Sequence, residues 1–275
     1  GFDLDGVISE NASFKSAKIN ELFSTNLEPW QVTSNIIYDF VKDKKIRRFI
    51  GTLSAQTEQP NFVDPNTILV LEQLKSFDIK LYLISRRGRS EKGIEAARKT
   101  VQNLGIEGFF DEIIFCESKK SKIEKIKEKS LELFIDDRTD VIDEISDLVT
   151  FPVLFDEYNL IKKGLYKCKN VYLIVNSLSE INSFVEILVL IDKAVYKLTK
   201  YNNLILDSKY ELVTYLNNII VKIDDYYLKI YRSNSTIKDN ELLLYDKLKN
   251  SDMFKELLQK GTIYLKEKKI SFALY

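Results

Sequence analysis

From residue 1 to about residue 190 the chain alternates short, almost uninterrupted apolar runs with stretches of helical periodicity. The runs at residues 2–5, 79–85, 113–116, 131–136, 151–155 and 171–175 are too continuous for strands with one wet face. They predict a parallel sheet covered on both sides by helices. The helices carry their own punctuation. Asp64 followed by Pro65 has the form of an N-cap with proline at the first helical position, opening a helix through Leu71 and Leu74. Ser90 starts another, with Ile94, Ala97 and Val101 on one face and Gly105 closing it. Ser177 and Glu180 have capping-box spacing ahead of a helix that turns Ile181, Phe184, Val185 and Leu188 inward.

Residues 9–63 break this rhythm. They are too long for a crossover and read as an inserted helical cap, with helices at 14–23 and, after Pro29, at 30–41. An insertion there sits over the sheet edge where ligands bind. After about residue 190 the pattern changes to period-2 runs rich in Tyr, Asn and Lys, at 210–216, 219–223, 226–231, 262–266 and 269–275. Asn217-Asn218 and Asp224-Asp225 fall at the turns between the first three. Helical segments at 238–249 and 253–260 complete an antiparallel α+β domain over residues 191–275, following an α/β domain over residues 1–190.

With 275 residues, 45% of them apolar, the chain can bury a sizeable core. Its 41 basic and 41 acidic residues cancel, so no bulk field draws it to nucleic acid or to a membrane surface. No apolar run is long enough to span a bilayer, and there is no signal peptide. Cys116 and Cys168 form neither a disulfide framework nor a metal knuckle and read as buried small hydrophobes in a reducing, cytoplasmic setting. Both ends look cut, as in a fragment. The absence of histidine removes Ser-His-Asp and Cys-His hydrolysis and His-ligated zinc. Proton transfer is left to Asp, Glu, Lys, Tyr or Cys.

Carboxylates gather where strands end. In Phe2-Asp3-Leu4-Asp5-Gly6, Asp3 and Asp5 lie at i and i+2, on one side of the sheet edge, and Gly6 lets the backbone turn closely around a ligand. A calcium loop is the competing reading. It fails the EF-hand pattern at Val7 and Phe14. In Phe134-Ile135-Asp136-Asp137-Arg138-Thr139-Asp140, Asp136 and Asp140 can face one cation if a helical turn follows the strand, whereas Asp137 or Thr139 could simply cap the next helix. Ser85 ends the strand at 79–85 ahead of Arg86 and Arg87, where a hydroxyl and backbone amides can hold a phosphoryl oxygen. Lys122 opens a lysine-crowded helix before the acidic strand, with Lys119 as its rival.

In order along the chain, these four pieces resemble the four motifs of the haloacid dehalogenase-like hydrolase superfamily. The resemblance implies a doubly wound Rossmannoid sheet with a small helical cap and a magnesium-dependent phosphomonoesterase acting on a small phosphorylated metabolite or nucleotide. It implies Asp3 as nucleophile, Asp5 as general acid and then base, and Ser85 and Lys122 as phosphoryl ligands, with Gly6 and Arg86 at the substrate. Asp136, with Asp3 and the Asp5 carbonyl, would hold Mg²⁺, supported by Asp137 or Asp140. Asp5 marks phosphatase-type members rather than dehalogenases. The cap and the stretches at 155–159 and 176–181 look similar to the nucleotidase-like branch, in which Trp30, Phe49 or Phe62 could stack a base and Arg47 or Arg48 could hold a second phosphate.

The region after residue 200 resembles the small lobe of protein kinase-like phosphotransferases such as aminoglycoside and choline kinases. Lys229 sits mid-strand and Glu241 in the following helix, matching a Lys–Glu pair that places nucleotide phosphates. The turn at Asn217-Asn218 lacks glycine and no large lobe follows, so this part alone cannot transfer phosphate. Two alternatives accompany the phosphatase reading: a fragment of a bifunctional phosphatase–kinase, and a non-catalytic binding or scaffold protein.

Overall fold

In the computed structural model, which describes residues 1–202, 211–214, 218–223, 226–231, 259–265 and 268–274, the apolar runs of the first part pair as parallel strands. β1 (Tyr82–Ser85) pairs with β2 (Glu112–Phe115), β3 (Leu133–Asp136) with β4 (Phe151–Phe155), and β4 with β5 (Leu173–Val175). Residues 1–5 join the two sets: Phe2 bridges in parallel to Leu83 and to Ile135, and the Asp3 N–H donates to the Ile135 carbonyl at 2.9 Å. This segment makes single bridges rather than a full ladder, because Ile8 and Ser9 both donate back to the Leu4 carbonyl and curl the chain off the sheet. Across the layer the order is β2, β1, residues 1–5, β3, β4, β5. Numbered by chain position that is 3-2-1-4-5-6, the order of doubly wound α/β sheets, whose ligands bind beyond the carboxyl ends where the order reverses.

The connecting helices follow their sequence signals with local differences. In α4 (Thr67–Lys75) the N-cap is Asn66. The Asp64 carboxylate instead accepts from the Asn66 N–H and, far along the chain, from the Leu178 N–H. Ser90 caps α5 (Glu91–Asn103) by accepting from the Gly93 N–H, and Gly105 stands past its end at φ +67°. Ile126 of α6 (Lys119–Glu128) and Val141, Ile142 and Ile145 of α7 (Thr139–Ile145) pack with Ile84, Phe134 and Leu154 of the strands into one cluster. Cys116 is buried as expected. Cys168 is only half-buried and donates to the Asp143 carboxylate.

The cap differs most from its expected form. α1 (Ala12–Phe23) is present, but residues 30–41 are not one helix. A single 3₁₀ turn, Pro29–Val32, and a short α2 (Ile37–Phe40) are separated by extended backbone at Thr33. The break is held by Asn35, whose amide donates to the Asp137 carbonyl at 2.7 Å while its oxygen accepts from the Thr139 N–H at 3.1 Å. A further helix, α3 (Lys44–Ala55), follows, capped by Asp43 accepting from the Lys45 N–H. Ala12, Ile19, Val32, Val41 and Ile50 give the cap a small core of its own.

The chain divides into two compact units, Gly1–Asn182 and Ser183–Tyr275, so the boundary falls inside α8 (Leu178–Asn202). The second unit contains a five-stranded antiparallel sheet in the order β6 (Glu211–Thr214), β7 (Asn218–Ile223), β8 (Tyr226–Tyr231), β10 (Lys268–Leu274), β9 (Gln259–Leu265). Its period-2 pattern is read directly: Ile219 faces Ile230 and Val221 faces Leu228, all four buried. The helix expected at 238–249 lies outside the described residues, as does 253–258. Gln259 and Lys260, expected to end that second helix, instead begin β9. No helix among the described residues is long and apolar enough to cross a membrane.

Candidate active site

Three carboxyl ends meet where the strand order reverses. Residues 1–5 deliver Asp3 and Asp5, β3 ends at Asp136, and β1 ends at Ser85. Asp3 and Asp136 are both buried, and Lys122 from α6 lies between them, its Nζ 2.9 Å from Asp3 Oδ1 and 2.6 Å from Asp136 Oδ2. The same ammonium stands 5.2 Å from the Phe134 ring centre. Burial alone would pull this lysine down, but Asp136 and Asp3 outweigh it and hold it above the usual lysine range.

Asp137 completes an acidic cluster. Carboxylate oxygens of Asp3, Asp136 and Asp137 lie within 4.8 Å of one another. Burial, with the charges of Asp136 and Asp5 adding to it, pushes Asp3 up to about 7 against the pull of Lys122. Burial and the charges of Asp136 and Asp3 push Asp137 up to about 8. These groups fit a hard divalent cation, because the donors are all oxygen and gathered within reach of one ion.

Gly6 sits at φ +80°, and a Cβ built there would stand 2.8 Å from Asp137 Oδ2. The close approach that glycine permits is therefore to a carboxylate of the cluster. Gly6→Ala is expected to cost about 1–2 kcal/mol of stability through left-handed backbone strain and, by displacing Asp137, to weaken any hold the cluster has on a divalent cation. Thermal melts with and without magnesium measure both effects.

Asp5 has a different partner. Nε of the buried Arg87 donates to its two oxygens at 3.1 and 2.8 Å, Nη2 donates to Oδ1, and Nη1 donates to the Thr57 carbonyl at 2.9 Å. Burial would raise the Asp5 carboxyl, but the Arg87 charge and hydrogen bonds hold it below the usual carboxylate range. Arg87 is thus the cation paired with Asp5, while the exposed Arg86 also lines the cavity. Ser85 Oγ is buried and, among the described residues, has no hydrogen-bond partner.

Asp3, Asp5, Ser85, Arg87, Lys122 and Asp137 line a cavity of about 210 Å³, to which the cap contributes Lys15 of α1, Tyr38 of α2 and Arg47 and Ser54 of α3. Burial pulls Lys15 below the ordinary lysine value despite the nearby Asp137 and Asp5. Tyr38, with the Arg47 guanidinium 4.6 Å from its ring centre, is the aromatic of the cavity. Trp30 instead packs edge-on against Phe40. Asp140 stands apart from the acidic cluster, on the first turn of α7, where Arg138 and Lys119 pair with it. Lys119 also pairs with Glu144. Lys229 lies on β8 of the second unit, half-buried, and Glu241 lies outside the described residues.

No family model matches the chain, and no curated protein matches it. Among solved structures, two of the L-2-haloacid dehalogenase from Xanthobacter autotrophicus, one with chloropropionic acid covalently bound, align at 12% identity and a TM-score of 0.43, covering 67% of this chain and 96% of that one. The chemistry of the site rests on its own geometry.

Proposed function

We propose that the first unit is a magnesium-dependent phosphomonoesterase working through an aspartyl-phosphate on a small phosphorylated metabolite or nucleotide. The observation that carries the reading is Ser85 Oγ, buried and unpaired, lining the same cavity as a nucleophile-competent carboxylate whose charge is shared with Lys122. A hydroxyl that no neighbouring side chain or backbone group engages is available to donate to a phosphoryl oxygen entering the cavity.

In the first step an Asp3 oxygen attacks phosphorus, the P–O bond to the leaving group breaks, and Asp5 delivers a proton to the departing alkoxide oxygen. In the second, Asp5 removes a proton from water, water oxygen bonds to phosphorus, and the acyl phosphate opens to return Asp3 and inorganic phosphate. Asp3, Asp136 and Asp137 would hold magnesium, which supplies neutralisation of phosphoryl charge beside a cluster that would otherwise repel it. Arg87 keeps Asp5 ionised in the free protein, the form the second step needs. An entering phosphoryl dianion competes for that guanidinium, and its release from Asp5 raises the carboxyl toward the protonated form the first step needs.

The test is a panel of phosphomonoesters assayed with magnesium, with 2-chloropropionate as the contrasting substrate. Phosphate release that is lost on chelation supports the reading. Chloride release with no phosphate release overturns it.

For the second unit, the order β6-β7-β8-β10-β9 places Lys229 on the central strand of the sheet, which supports a nucleotide-binding role for that lysine with Glu241. Lys229→Met should then weaken binding of a nucleoside triphosphate in the complete protein.

A further inference from the structure

The positively charged surface extends beyond the reaction cavity. A groove of about 940 Å³ adjoins it and shares Tyr38, Arg86, Arg87 and Lys119 with its lining. The cations along the two spaces differ in what they already hold. Lys122 is engaged by Asp3 and Asp136, Arg87 by Asp5, and Lys119 by Asp140 and Glu144. Arg48 of α3, with Arg86 and Arg89 of the loop between β1 and α5, is exposed along the groove, and among the described residues these three have no carboxylate partner. The groove has one acidic lining residue, Glu117.

Two helices begin at the same place. Ser90 and Ser118, the N-caps of α5 and α6, both line the groove, so the positive ends of two helix dipoles add to the arginines. In a chain of zero net charge this is a local excess of unbalanced positive charge. Unpaired guanidinium forks beside helix N-termini have the chemistry that recognises phosphate.

Resting on the phosphomonoesterase reading, we propose that the substrate is a small bisphosphate: one phosphoryl group reacts in the cavity beside Asp3, and the second is held in the adjoining groove by Arg48, Arg86 and Arg89. A nucleic-acid end is less favoured, because a polyanionic backbone is followed by a track of cations, whereas these arginines are gathered at one groove.

Matched pairs test this: fructose 6-phosphate against fructose 1,6-bisphosphate, and adenosine 5′-monophosphate against adenosine 3′,5′-bisphosphate, with a short 5′-phosphorylated oligodeoxynucleotide alongside. Phosphate release with magnesium and calorimetric binding without it are both measured. In at least one pair the bisphosphate is expected to show a KM and a Kd about tenfold below its monophosphate, the effect of one good charge-assisted contact. The double variant Arg48→Gln, Arg89→Gln should bring that ratio close to one. No preference in either pair, a preference that survives the double variant, or stronger selection of the oligonucleotide overturns the proposal. Absence of phosphate release from every compound defeats the phosphomonoesterase reading instead. The calorimetric ratio then decides the groove alone: tighter bisphosphate binding that the double variant removes retains it as a phosphate site, and equal binding dismisses it.

Discussion

Asp3→Asn is expected to reduce phosphate release by about 10⁴-fold or more, as loss of a covalent nucleophile does, while raising the melting temperature of the magnesium-free protein at pH 8. The second half follows from the raised carboxyl of Asp3, pushed up to about 7 by burial and by Asp136 and Asp5. Between the ordinary aspartate value and 7 the folded protein binds more protons than the unfolded chain, so stability falls as pH rises through that window and stays low above it. Asparagine is neutral throughout and can still accept from Lys122. At pH 8 it should therefore gain on the order of 1 kcal/mol, a few degrees in Tm, with little change at pH 5. Initial rates and melts at the two pH values check both halves. An Asn variant less stable than the parent at pH 8 would contradict the electrostatic account, and one with full activity would remove Asp3 from the chemistry.

The part of this arrangement that was legible in the sequence is the part written along strands. Asp5, Ser85 and Asp136 each end an apolar run, with Asp3 two residues ahead of Asp5, and in a parallel sheet carboxyl ends lie on one edge, so their meeting follows from pattern and topology together. The choice between Arg86 and Arg87 was not legible. β1 stops at Ser85, so alternation no longer dictates which neighbour turns inward, and Asp5 decides it through space. Lys119 and Lys122 share the helical stripe of Ile126, so phase does not separate them; Lys122 wins because it lies one turn deeper beneath the acidic pair.

In the cap, the Asp43 cap and the spacing of Ile46, Ile50 and Leu53 were signals for α3, while the break after Val32 depends on Asn35 reaching a loop more than one hundred residues away, which no local pattern records. The histidine-free composition gains meaning from the same geometry: every proton and charge the site handles has a carboxylate, ammonium or guanidinium owner.

Lys122→Met is expected to have the largest effect on stability, a loss of about 3–5 kcal/mol, because truncating one partner of a buried ion cluster leaves the others uncompensated. Burial works against the lysine charge, but Asp136 and Asp3 hold its proton above the usual range, so its contribution is complete at every pH below the ordinary lysine value and is lost only as pH climbs past it. The deficit should accordingly be fully present at pH 8. It should also respond to metal in a specific way. Without the ammonium the cluster of Asp3, Asp136 and Asp137 carries its charge unbalanced, so magnesium should raise the Tm of the variant more than that of the parent, although phosphate binding is weakened.

Lys119→Met is the control, since Lys119 pairs with Asp140 and Glu144 at the surface and its removal should cost no more than about 1 kcal/mol. Melts of the two variants with and without magnesium separate a lysine that completes the acidic centre from one that decorates its rim. Equal destabilisation, or a magnesium response no larger in Lys122→Met than in the parent, would mean that the buried ammonium is not what holds the carboxylates together.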